Sequence, residues 1–199
     1  MIGRGEIEQS LTGAWRLFLN KPDALRFFDT GSDGFWRSFQ AIVLVAPVYA
    51  ITALANRGGS FSEEIANGTF NEAAFWATKA LTLAVDWVAL PILLAALAGL
   101  IGIRCAYPAY IVVRNWAAVL MTLPFAAIAV AAALGVGGDL LLIPSLAALG
   151  FSLRFGYLIA RRTLQVGIEV AIGLVALDFL VSLAVVMIIG RLTGIEAFG

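Results

Sequence analysis

The sequence predicts an all-α polytopic bundle of about five transmembrane spans preceded by an N-terminal amphipathic interfacial helix, and three observations carry that prediction. Hydrophobic residues make up 61% of the chain and charged residues only 13%, about half the charged share of an ordinary soluble domain. Mean hydropathy is +0.95. Five windows stay apolar over the roughly 20 residues needed to cross about 30 Å of hydrocarbon: residues 38–56, 80–103, 110–134, 140–160 and 166–190. The chain therefore divides into a segment 1–36 and a five-span bundle 37–199.

Composition also removes whole classes of function. Thirteen Lys and Arg balance thirteen Asp and Glu, so no basic excess points to nucleic acid. There is no histidine and a single cysteine, Cys105, which takes away His-based acid/base chemistry, His/Cys metal sites and an intrachain disulfide. The expectation is a protein without catalytic chemistry, cofactor or metal, whose main partner is the lipid bilayer, joined by a membrane-protein partner or further copies of itself.

In the N-terminal segment, Ile7, Leu11, Ala14, Trp15 and Phe18 recur at helical spacing, with Glu6, Glu8, Gln9 and Arg16 elsewhere around the helix, the pattern of an amphipathic helix. Charge interrupts every apolar run between residues 5 and 20, so the segment lacks the core of a cleavable signal peptide. Such a helix either lies in the membrane interface or packs on the bundle's own loops; a peptide-binding arm is a third use. Pro22 is placed to open a short turn through Leu25, Phe27 and Phe28, and residues 29–34 read as a loop. Trp15, Phe18, Phe35 and Trp36 are the expected membrane-interface anchors.

The first two spans are joined by residues 57–79, polar and mildly acidic, with a helix expected from about Asn71, lying at the interface or extending the second span. The remaining links are short, so successive spans should be antiparallel neighbours. Ten basic residues fall on one side of this arrangement, while the other receives only Arg57, Lys79 and Arg191. Because translocating Lys and Arg is disfavoured, the N-terminus is expected in the cytoplasm and, after five spans, the C-terminus outside, in a bacterial inner membrane.

Ionisable residues inside spans are costly and therefore informative. Asp86, Arg114, Arg154, Glu169 and Asp178 form the candidate polar site. With the last turn near Arg162, Arg154 lies eight residues before it and Glu169 seven after it, so the two should pair at one depth, with Arg114 able to join. Asp178 has no basic residue at its depth on this reading. Nine residues, about 180° of helix, separate it from Glu169, which implies two buried faces on the fifth span. It is either neutral and hydrogen-bonded or carries a proton or cation. Lys79 and Asp86 share a face about 10 Å apart, too far to pair.

Pro47, Pro91, Pro124 and Pro144 lie inside four of the spans and should kink them. Ala95, Ala98, Gly99 and Gly102 in the second span, and Gly150 and Gly156 in the fourth, should allow close helix approach. The stretches Gly34-Phe35-Trp36-Arg37-Ser38-Phe39, Ala46-Pro47-Val48-Tyr49-Ala50 and Tyr157-Leu158-Ile159-Ala160-Arg161-Arg162-Thr163-Leu164 resemble those of small uncharacterised bacterial inner-membrane proteins. The layout of a cytoplasmic segment and five spans is similar to the Yip1-like family. That resemblance implies a membrane bundle and no particular activity. Two functions follow from the residues: a scaffold or accessory subunit working through helix–helix and lipid contacts, or a small-solute or ion transporter using Asp178 or Asp86.

Overall fold

Apolar windows without strand-like alternation have one way to satisfy their backbone in a membrane, which is to hydrogen-bond along helices. The computed structural model describes residues 3–195. Its elements are α1 (Arg4–Phe18), a 3-10 turn (Ala24–Phe27), α2 (Ser32–Ser38), a second 3-10 turn (Phe39–Ala41), α3 (Ile42–Ser60), α4 (Ser62–Ala66), α5 (Glu72–Leu97), α6 (Tyr107–Ala133), α7 (Gly138–Leu164) and α8 (Ile168–Thr193). No strand occurs among the described residues. Five helices are long and apolar enough to cross a membrane: Ser32–Gly58, taking α2 and α3 as one rod, then α5, α6, α7 and α8.

Local chemistry sets the ends. Asn71 caps α5, its side-chain oxygen accepting the Ala74 N–H at 3.0 Å, so the helix expected from this position extends the second span. Pro108 occupies the first turn of α6, where its missing N–H is no loss. Gly194 ends α8 at φ 69°, and the following N–H of Ile195 returns to the Gly190 carbonyl at 3.1 Å, a glycine-based helix stop.

The helices pack in a circuit. α3 lies on α6, α6 on α7, α7 on α8 and α8 on α5, and α5 closes the ring with lighter contacts to α3 and α6. α1 rests against α6 and α7, and α2 against α6. The end of the bundle bearing α1 and α2 is called the near end below, and the end bearing α4 the far end.

The core is not shared evenly between them. Trp116, Ile111 and Val113 of α6, Phe155 and Ile159 of α7, Leu94 of α5 and Leu17 of α1 are all buried near the same end. Towards the far end, α6 buries only Ala126 and Ala129 after Val119, α7 buries nothing before Ala148, and α8 nothing between Leu174 and Ile189. Large apolar side chains instead face outward there, Ile143 at 77% exposure and Leu180 at 58%, as in helices whose outer surface meets hydrocarbon.

Several expectations are corrected. The second span stops at Leu97 rather than 103, because residues 98–106 turn back through Gly102 at φ 74°, which a β-carbon would disfavour. Gly99 lies in that turn beneath the Arg104 guanidinium, so it serves the link and not a helix contact. Gly156 does face α8, across from Val175, whereas Gly150 faces open space. The first long helix begins at Ser32, shortening the expected loop. On α1 the expected stripe packs inward through Ile7, Leu11, Ala14 and Phe18, the most buried residues are Ser10, Gly13, Ala14 and Leu17, and Trp15 alone of the stripe lies outward. At Gly13 a β-carbon would fall 2.7 Å from Phe27 Cβ, so glycine lets α1 press on the turn beneath it. α8 has one buried face, through Ala171 and Leu174, and Gly173, Ala176 and Leu180 lie outward.

Candidate functional site

Height along parallel helices decides which intramembrane charges meet. Arg114 is seven residues into α6 and Asp178 ten into α8, and the two helices run in the same direction. Three residues correspond to about 4.5 Å of rise, well within reach of an arginine side chain. Arg114 Nη2 donates to Asp178 Oδ1 at 2.8 Å, the two side chains being 13% and 28% exposed. The pair spans helices that scarcely touch through their backbones, so it crosses the interior of the ring.

Asp86 completes the cluster from the third side. It lies eleven residues before the end of α5, about 16 Å from the near end against about 15 Å for Asp178. Ser182 of α8 stands beside it, and Arg114 and Asp178 act on it electrostatically. Its Oδ1 is buried without a hydrogen-bond partner, as is Nε of Arg114. Tyr110, one turn before Arg114 and only 3% exposed, adjoins the pair. Arg114 is thus bonded to Asp178 with Asp86 within its electrostatic reach, and Asp86 Oδ1 and Arg114 Nε remain without partners.

Arg154 and Glu169 do not meet. α7 continues to Leu164 and α8 begins at Ile168, which leaves Arg154 about 15 Å from the near end and Glu169 in the first turn of α8. Glu169 is exposed. Arg154 instead donates to the Phe18 carbonyl at 2.7 Å and lies over the Phe18 ring, 4.7 Å from its centroid. A cation at the carbonyl end of α1 suits the helix dipole.

That contact belongs to a set of near-end fastenings which sequence spacing did not reveal. Arg162 donates twice to Asn20 Oδ1, at 3.0 and 2.6 Å. Arg37 joins Glu6 of α1 at 3.0 Å and Asp29 at 2.5 Å. Arg16 meets Asp23 at 2.5 Å and holds that carboxyl below the usual carboxylate range. Asn115 and Ser38, both fully buried, form a hydrogen bond at 3.0 Å, and the Ser38 hydroxyl donates in turn to the Phe35 carbonyl. Of the expected anchors, Trp15 is 51% and Trp36 70% exposed. Phe18 packs inward on Phe151 and Phe155, and Phe35 on Tyr107.

A cavity of about 1010 Å³ opens at the far end between α3, α4, α5 and the last turn of α6. Tyr49 lines it, eleven residues back from the end of α3, and the same tyrosine lies within the electrostatic reach of Asp86. Asp86, Arg114, Asp178 and Ser182 are not among the residues that line it. Comparison with protein-family models, with curated proteins and with solved structures finds no match to this chain.

Proposed function

We propose that this chain moves a small solute or ion across a bacterial inner membrane through the middle of its helix ring, with Asp86 as the group that exchanges a proton or cation. One observation carries the reading: a carboxylate oxygen at mid-bundle depth has no partner although a guanidinium and a serine stand close by. A buried carboxylate is completed by a proton, a cation or a further donor. Arg114 and Asp178 form the fixed pair, so Asp86 is the acid left to change its occupant. The cavity opens the far end as deep as Tyr49, and Pro47 and Pro91 in the two helices beside it are natural points of bending through which it would extend to Asp86. The excess of basic residues at the near end supports an orientation with that end, and the N-terminus, in the cytoplasm.

Accessory-subunit function would work through helix–helix and lipid contacts and the N-terminal segment, and α1 packs on α6 and α7 of the bundle itself. Purified protein in liposomes tests the proposal. With a potassium diffusion potential as driving force and an internal pH dye as readout, the native chain should carry protons or exchange them for sodium, and Asp86→Asn should abolish the flux while the protein remains folded. Equal flux in both proteins, or none in either, overturns the proposal. Recovery of the native protein from its own membrane only as a stoichiometric part of a larger assembly would favour the accessory role.

A further inference from the structure

Only three basic residues, Arg57, Lys79 and Arg191, belong to the far end, and two of them line one cavity. Lys79 and Arg57 both face the space of about 1010 Å³, and no Asp or Glu is among its lining residues. The two cations differ in what they already hold. Arg57 pairs with Glu72 at the rim and lies over the Phe70 ring. Lys79 lies over the Phe75 ring, 5.5 Å from its centroid, and among the described residues no carboxylate comes within ion-pair distance of it. Apolar lining comes from Phe61, Ile65, Phe75 and Ala132.

We infer that this cavity binds an amphiphilic anion, with its charged head at Lys79 and Arg57 and its hydrocarbon part on the wall formed by Phe61, Ile65, Phe75 and Ala132. Glu72 offsets Arg57 at the rim, which leaves Lys79 as the cation without a carboxylate at ion-pair distance among the described residues, and an uncompensated positive charge on a cavity wall attracts anions. Ammonium and guanidinium groups donate strong charge-assisted hydrogen bonds to phosphate or carboxylate oxygens. An inorganic anion would leave the aromatic wall in water, while a molecule with both parts covers it. The volume lies at the upper end of the roughly 300–1,000 Å³ range of small-molecule sites, which suits a head and several methylene groups together. Position agrees with chemistry, since the cavity sits where helix ends meet the loop segment 61–71, at the level of lipid headgroups for a membrane-spanning bundle. The inference uses the same cavity as the transport proposal, but neither cation belongs to the Asp86 cluster, so anion binding is measured without reference to flux.

The test is native mass spectrometry of the whole chain in detergent with four probes: phosphatidylglycerol, dodecanoate, phosphatidylcholine and inorganic phosphate. One equivalent of phosphatidylglycerol or of dodecanoate should be retained, and binding should weaken about tenfold in Lys79→Gln while Lys79→Arg keeps it. Ala132→Trp, which puts a bulky ring on the apolar lining and keeps both cations, should weaken it as well. Retention of phosphatidylglycerol assigns the site to a membrane lipid; retention of dodecanoate alone assigns it to a free amphiphile. Equal retention of phosphatidylcholine, retention of inorganic phosphate as firmly as the amphiphiles, or an unchanged Lys79→Gln overturns the inference.

Discussion

The near and far ends of this bundle use the same helices in opposite ways. At the near end, α1, α2 and the ends of α5, α6 and α7 bury Trp116, Phe155, Ile111 and Leu17 around fully buried Asn115 and Ser38. Guanidiniums from Arg37, Arg154 and Arg162 fasten the N-terminal segment to it. Toward the far end α6 and α7 bury few side chains, α5 still buries Phe75, Thr78 and Thr82, and a cavity opens between α3 and α5. In hydrocarbon, apolar burial by itself gives little drive for helix association, so packing and hydrogen bonds decide where a bundle is tight. The sequence concentrates both at one end. The polar cluster lies at mid-bundle depth, between the densely packed end and the end that holds the cavity.

The largest expected contrast sets a near-end side chain against a far-end one. Trp116→Ala should cost about 3–5 kcal/mol through the void it leaves, and Ile143→Ala less than about 0.5 kcal/mol; unfolding in mixed micelles measures both, and similar losses would break the comparison. Next comes the boundary itself. Arg114→Met removes the cation paired with Asp178 and should destabilise by about 3 kcal/mol, with Asp178→Leu in the same chain restoring much of it, because an unpaired buried charge costs more than a missing pair. The smallest contrast uses glycines. Gly13→Ala meets Phe27 and Phe28 and should cost about 1–3 kcal/mol. Gly150→Ala meets nothing and should leave stability unchanged or raise it by up to about 1 kcal/mol.

Most of the fold was legible because twenty-residue apolar windows admit a single answer. The polar site was harder, since it depends on helix ends to within a turn. Starting the third span at residue 110 put Arg114 too shallow to reach Asp178. Pro108 actually lets α6 begin at Tyr107, and that one turn brings the pair to a common depth. The same sensitivity acted in reverse on Arg154 and Glu169, which matched only if the last turn lay at Arg162; Gln165, in the left-handed conformation, ends α7 beyond it. Asp86 was visible as an intramembrane acid, but its neighbours lie on helices far away in the chain. The near-end fastenings pair arginines with an amide, a backbone carbonyl and distant acids, and no local spacing announces such contacts.

The account stands most directly on whether water reaches the central cluster from the far end alone. In a chain with Cys105→Ser, single cysteines from Thr52→Cys in the cavity wall, Ser182→Cys beside Asp86 and Val113→Cys in the near-end core can be labelled with a charged, membrane-impermeant thiol reagent applied to one side of sealed vesicles. The expected result is fast labelling of Thr52→Cys and slower labelling of Ser182→Cys from the far side, with Val113→Cys protected from both sides. Protection of Ser182→Cys from both sides, or labelling of it from the near side, would contradict the account.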